Sequence, residues 1–262
     1  SFGHAVFFGL GAYAMSLTTL GMIPGLGDST VIGLATAIAV PAAVANLLGR
    51  FLFYGRGLRG AYFGIVMLAI AVIAERLATN WDYAGGLNGL MGVPPLHFAG
   101  VDLFDPLPLF YVTLAIALAV YAGLEHLVRA PSGSVLRAIG ANEERTSALG
   151  YDTAGIKLAA FTLSAAVAGL AGALFVGQLG FASPPLIGFA LSTEVLIWVA
   201  LGGRFSLLAA LLGALAVRSA EAPLAEWLGA YWLLALGLAF VLCVTLLPRG
   251  LAGTALARLA GR

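Results

Sequence analysis

Charged residues are scarce in this chain. Asp, Glu, Lys and Arg make up 10% of 262 residues, against about 25% in an ordinary soluble domain, while 61% of residues are apolar. Mean hydropathy is +1.02. So little polar surface cannot cover that much apolar side chain in water, which excludes an ordinary soluble fold; a bilayer removes the need for cover. Cysteine is nearly absent. Cys243 stands alone in an apolar stretch, which excludes an internal disulfide and is read as packing, and no Cys/His spacing suggests a metal site. A basic excess is also missing. The formal net charge of +1, without a long basic run, argues against nucleic acid as a partner. No GxSxG, HExxH or phosphate-loop GxxxxGK[ST] occurs, so no residue is given a catalytic role and any coupled nucleotide hydrolysis belongs to another chain. The chain opens directly on Ser1-Phe-Gly-His, without an initiator Met or signal peptide, and is read as a fragment whose natural start lies upstream.

What is present is a series of apolar stretches, at 5–23, 30–48, 61–78, 107–127, 156–179, 189–201, 207–220 and 231–247. A membrane crossing needs about 20 mostly apolar residues. The sequence therefore predicts an all-α polytopic bundle of about eight membrane segments, forming one transmembrane domain over 1–262. The stretches at 189–201 and 207–220 are short for full spans, so one of them is expected to be a partial or broken helix. The 35 glycines fit close helix packing and helix breaks.

Charge follows the threading. If the first stretch runs outward, Arg50, Arg56, Arg59, Arg129, Arg137, Arg145, Lys157, Arg204, Arg249, Arg258 and Arg262 all fall on one side, which is then cytoplasmic. Asp28, Asp82, Asp102, Asp105 and Glu226 fall on the other. Arg76 and Arg218 break the pattern, and each has an acid, Glu75 or Glu221, within three positions.

Two connections exceed a plain turn. The outer one, at 79–106, carries Asn80-Trp-Asp-Tyr-Ala-Gly-Gly-Leu-Asn-Gly, whose glycines force turns and whose aromatics suit the membrane interface. It reads either as a decorated loop or as a docking face built on Trp81, Asp82, Gly85, Gly86 and Asn88. The inner one, at 129–157, is rich in capping residues. Pro131 and Ser132 start a short helix with Val135, Leu136 and Ile139 on one face. Asn142 is a good N-cap with Glu143 and Glu144 in the following turn, Gly150 supplies a left-handed stop, and Asp152 caps the next helix. Two short helices joined at Gly140 are expected there.

Glu194 lies in Leu191-Ser-Thr-Glu-Val, where a carboxylate near the bilayer centre is costly and must face protein or water or be protonated. With Ser192 and Thr193 it is a candidate for the translocation pathway, or for a hydrogen bond between helices. His4 reads as a pathway residue or as capping or packing.

The run Ser1-Phe-Gly-His-Ala-Val-Phe-Phe-Gly-Leu-Gly-Ala-Tyr resembles the early helix of permeases of branched-chain amino acid ABC importers, the high-affinity Leu/Ile/Val type. The resemblance continues, in family order, at Leu58-Arg-Gly-Ala-Tyr-Phe, Gly85-Gly-Leu-Asn-Gly-Leu-Met-Gly-Val-Pro and Val135-Leu-Arg-Ala-Ile-Gly-Ala-Asn-Glu-Glu-Arg. It recurs at Ala148-Leu-Gly-Tyr-Asp, Ser192-Thr-Glu-Val-Leu, Leu201-Gly-Gly-Arg and Leu247-Pro-Arg-Gly-Leu. It implies an inner-membrane, multi-pass, non-enzymatic permease paired with a second permease. It also implies a periplasmic substrate-binding protein and two cytoplasmic ATPases that hold ATP and Mg, with no cofactor in this chain. About two N-terminal helices would precede the fragment, giving about ten in all. The ATPase-coupling element would be Arg137, Ile139, Asn142, Glu143, Glu144, Arg145, Leu149 and Gly150. The chain departs from the family pattern at Gly140, where arginine is common, and at Ala84, where a hydroxyl residue is common. An amide or urea permease of similar sequence, an ion-coupled secondary transporter using Glu194, and a membrane-embedded enzyme are the rival readings; the last lacks a pair of catalytic residues.

Overall fold

The computed structural model describes residues 1–54, 60–98, 101–102, 105–246, 250 and 253–254. Arg56, Arg59, Arg249, Arg258 and Arg262, which carry part of the charge asymmetry, lie outside the described residues, as do the first two residues of the Leu58 motif and all of the Leu247 motif except Gly250. The described chain is an all-α bundle in two compact units, Ser1–Leu191 and Ser192–Arg262.

The first unit contains α1 (Ala5–Thr19), α2 (Thr30–Phe53), α3 (Ala61–Thr79), α4 (Pro106–Arg129), α5 (Pro131–Ala141), α6 (Glu143–Ala148) and α7 (Thr153–Leu179). Then α8 (Phe189–Gly202) leads into the second unit, which holds α9 (Leu207–Leu228) and α10 (Trp232–Leu246). The α2, α3, α4, α7 and α9 helices are long and apolar enough to cross a membrane, while α1, α8 and α10 are shorter apolar helices. In hydrocarbon every backbone group needs an internal partner, which is why apolar runs of this length become helices.

The core of the first unit is a three-helix crossing. Apolar on every side, α1 is buried almost all round. Its serine and threonine hydroxyls near the C-terminal end are paired: Ser16, Thr18 and Thr19 donate back to the carbonyls of Ala12, Ala14 and Met15 at 2.7, 2.8 and 2.9 Å. Against α1 and α2, α7 presents Ala165, Gly169, Ala173 and Gly177, a small residue every fourth position, all buried. A side chain at Gly11 would strike the Gly169 backbone, and one at Gly169 would strike the Ala37 carbonyl and the Pro41 ring. Glycine is required there by the close approach of backbones.

Hydropathy located the helices, and the structure moves some ends. The 207–220 stretch is part of a full-length span, because α9 continues through Pro223 to Leu228. The partial helix is α8, at 14 residues. In the inner connection, Gly140 is not the joint: α5 runs through it to Ala141, and Asn142, extended at φ −160° and ψ 101°, separates the two short helices. Gly140 is exposed with open space around it, so nothing local excludes a larger residue, whereas Ala84 is 2% exposed inside a packed cluster.

The connections after α1, α3 and α7 meet at one end of the first unit. The strand β1 (Leu90–Met91) pairs antiparallel with β4 (Phe181–Ala182), Leu90 opposite Ala182; between them in sequence β2 (His97–Phe98) pairs with β3 (Val101–Asp102). The Tyr83 hydroxyl donates to the Met22 carbonyl, and the His97 N–H donates to Thr30 Oγ1 at 3.1 Å. At the opposite end lie α5, α6, the end of α2 and the start of α7.

In the second unit, Gly202 and Gly213 bring α8 and α9 into backbone contact. Cys243 is buried with Ile197, Leu201 and Leu236, its Sγ 3.6 Å from the Ala200 carbonyl, consistent with packing.

Candidate functional site

The inner connection is built as its caps dictate. Pro131 occupies the first turn of α5, and Gly133 lets that turn pass against the Val128 carbonyl. Arg137 donates to the same Val128 carbonyl at 2.8 Å, bracing the corner between α4 and α5, and Ile139 is buried beneath it. Asn142 Oδ1 accepts the Arg145 N–H at 2.9 Å, capping α6, and the buried Thr146 donates to the Asn142 carbonyl. Gly150, at φ +91°, ends the helix, and Asp152 Oδ1 accepts the Gly155 N–H at 3.0 Å to start α7. One ion pair ties α6 to α7: Lys157 Nζ lies 2.5 Å from Glu143 Oε1, both half-buried, and 5.3 Å from the Phe53 ring centre.

The eight residues assigned to coupling therefore divide by position. Ile139 and Arg137 hold the element together, as do Asn142, Glu143 and Gly150. Glu144, Arg145 and Leu149 face outward, Leu149 being 72% exposed.

At the other end, Trp81, Asp82 and Asn88 are exposed. Gly85 and Gly86 both have positive φ, Gly85 joining the 3-10 turns Asp82–Ala84 and Gly86–Asn88 and Gly86 opening the second; Gly85 is half-buried and Gly86 buried. They fold the loop, and Trp81 and Tyr83, with ring centres 6.1 Å apart, form its outward face.

The pathway candidates fall in different units. His4 belongs to the first, where its ring packs edge-on against Phe7 and Phe161 and its Nε2 lies 3.2 Å from Ser164 Oγ. Ser192, Thr193 and Glu194 open the second unit on α8, one turn before Trp198. Glu194 is within electrostatic reach of Arg218 and Glu221 on α9, which pair with each other while Arg218 lies 5.6 Å from the Trp198 ring centre. Charge counting had flagged Arg218 and Glu221 as an anomaly within α9. Sequence alone gave no sign that Glu194 shares their surroundings.

The family model described as "Branched-chain amino acid transport system / permease component" matches residues 1–247. The high-affinity branched-chain amino acid transport system permease protein LivM of Salmonella typhimurium is 34% identical over 273 residues, covering 95% of this chain and 62% of the relative. Its Escherichia coli namesake is 33% identical with the same coverage. The probable branched-chain amino acid transport permease protein LivM of Methanocaldococcus jannaschii is 27% identical over 179 residues, covering 65% of this chain and 51% of that protein. This chain thus spans about 62% of the length of the first two relatives. No solved structure matches. A match along nearly the whole chain, on a helical bundle with several membrane-crossing helices and in agreement with the motifs from Ser1 to Gly250, settles the family: the chain belongs to the permease components of branched-chain amino acid transport systems.

Proposed function

We propose that this chain is the membrane-embedded permease subunit of an ATP-driven importer of branched-chain or related amino acids in a bacterial inner membrane. It pairs with a second permease, receives its solute from a periplasmic binding protein and rests on two cytoplasmic ATPases that hold ATP and Mg. Alternating access follows when those partners bind two packings of the helices with different affinity. The observation that carries this reading is the doubly capped α5–α6 element, at the opposite end of the first unit from the Trp81–Tyr83 loop: one end fits force transmission from an ATPase, the other a soluble donor of solute.

The direct test is reconstitution of the four kinds of subunit in proteoliposomes. Uptake of labelled leucine is expected only with ATP, both ATPases and the binding protein. Uptake by this chain without ATPases, driven by an ion gradient, would overturn the reading. Orientation is checked separately. A reporter fused after Pro106 is expected outside and one after Ala141 inside, because the basic residues gather on the latter side; both on one side would sink the threading.

The electrostatic neighbourhood of Glu194 bears on the ion-coupled rival. Glu194→Gln keeps size and hydrogen bonding while removing the charge. ATP-dependent uptake is expected to stay within about threefold of the parent, the scale of losing one hydrogen-bonded group that still has a neutral replacement. If the parent is driven by an imposed proton gradient and the variant is not, the secondary-transporter reading wins.

A further inference from the structure

Three observations in the first unit converge on a polar site that neither the motifs nor the comparisons assign. The first is Tyr13 on α1. Its side chain is 6% exposed and its hydroxyl is buried without a hydrogen-bond partner among the described residues. Buried hydroxyls are almost always paired, so one left open points to a missing ligand or water.

The second is Glu75 on α3. It enters none of the ion pairs among the described residues, and it is a half-buried carboxylate on an apolar helix, where an acid needs a polar partner or water. Its carboxyl group lies against Gly188: a Cβ there would come within 2.7 Å of Oε2. Glycine at 188 keeps that space for the carboxylate.

The third is the backbone between β4 and α8. It descends as a single 3-10 turn, Pro184–Leu186, then Ile187 presses onto Gly9 near the middle of α1. Non-helical backbone beside membrane helices is tolerated where it is buried in protein or lines a wet cavity, and transporter sites are commonly built at such breaks.

These features share one place. Tyr13, Ala71, Ala78 and Ile187 pack in one cluster. Ala71 and Ala78 flank Glu75 at i−4 and i+3 on the same helix face, and Ile187 immediately precedes Gly188. By helix rise, Glu75 lies about 6 Å from the end of α3 and Tyr13 about 9 Å from the end of α1, both ends being those that bear the Trp81 loop. A carboxylate and a hydroxyl acceptor one to two turns below that surface match an ammonium group, which brings a positive charge and several N–H donors.

We propose that Glu75 and Tyr13 form the receiving site for the α-ammonium group of the incoming amino acid, Glu75 supplying the counter-charge and Tyr13 Oη accepting an N–H bond. The assignment rests on the permease reading above and adds to it the residues that distinguish a zwitterionic solute from a neutral amide.

The test uses the complete transporter in proteoliposomes, with labelled leucine delivered by its binding protein. Parent, Glu75→Gln, Glu75→Asp and Tyr13→Phe are compared for leucine taken up per ATP hydrolysed. Glu75→Gln is nearly isosteric and is expected to lower this ratio about tenfold, the loss of one charge-assisted hydrogen bond; Tyr13→Phe is expected to lower it about threefold. Glu75→Asp should recover part of the loss. A parental ratio in Glu75→Gln would overturn the site, and so would equal loss of uptake and stimulated hydrolysis, which marks a structural role. A parent that shows no ATP-dependent leucine uptake fails the permease reading instead, so the two failures are distinct.

Discussion

Replacing Gly169 by leucine is expected to remove most of the folded subunit from the membrane, whereas the same change at Gly123 is expected to be tolerated. At Gly169 even a Cβ would fall on the Ala37 carbonyl and come within 2.6 Å of Pro41 Cγ, and the other side of the glycine is taken by Gly11. Overpacking costs about 1 to 3 kcal/mol when side chains can give way. Here the obstacles are backbone and a proline ring, so α1, α2 and α7 would have to separate. Gly172, which meets the Phe8 carbonyl, would be pulled out of contact with them. Association in a bilayer depends on close packing, since lipid is as apolar as the helix faces, so a widened crossing has no compensating drive. By contrast Gly123 on α4 has nothing within 4 Å of its Cβ position. The yield of monodisperse protein after detergent extraction checks this: under about a tenth of the parent for Gly169→Leu is expected where a loss exceeds the several kcal/mol of a typical stability margin. Parental yield from that variant would show that the crossing has slack.

That contrast was only half legible in the sequence. Hydropathy finds α7 because a bilayer demands a long apolar run, and glycine abundance announces close packing somewhere. It does not say which glycines touch. Gly123 and Gly169 sit in equally apolar stretches, and only the path of α2 past α7 separates them. The capped inner connection was legible almost residue by residue, because Asn142, Gly150 and Asp152 act on backbone groups within three or four positions of themselves. The exception, the joint at Asn142 rather than Gly140, has a local cause: a helix tolerates an interior glycine at modest cost, whereas an asparagine that caps the next helix must leave the helical conformation. The pairing of Leu90 with Ala182 had no signal, since two-residue strands carry no periodicity. Tyr13 and Glu75 were visible as residues, but their relation depends on the Ile187 turn packing between α1 and α3, which is a property of the fold alone.

Gly150→Val is expected to leave the subunit inserted at near-normal level while uncoupling ATP hydrolysis from transport. Gly150 has φ +91°, and an added Cβ would meet nothing within 4 Å, so the variant tests backbone conformation rather than packing. For a residue with a side chain, positive φ costs about 1 to 2 kcal/mol, and a β-branched one fares worst. That is too little to unfold a bundle held by the Gly11–Gly169–Ala37 crossing. It is enough to reset the short segment from Leu149 to Asp152, which has few other constraints: the Gly150 N–H bond to the Ser147 carbonyl at 2.9 Å and the Asp152 cap. Once that turn relaxes toward negative φ, α6 is still capped by Asn142 but no longer approaches α7 at the angle that seats Glu143 on Lys157. Glu144, Arg145 and Leu149 then face a different direction. A Gly140→Ala variant in exposed, open space within α5 is the control, since it adds a side chain nearby without straining the backbone. In reconstituted transporter, Gly150→Val is expected to lower uptake about tenfold, as a 1 to 2 kcal/mol bias against the docking conformation allows. Basal hydrolysis should remain and no longer respond to the loaded binding protein, while Gly140→Ala behaves as the parent. Full stimulation with normal uptake in Gly150→Val would take this connection out of the coupling mechanism.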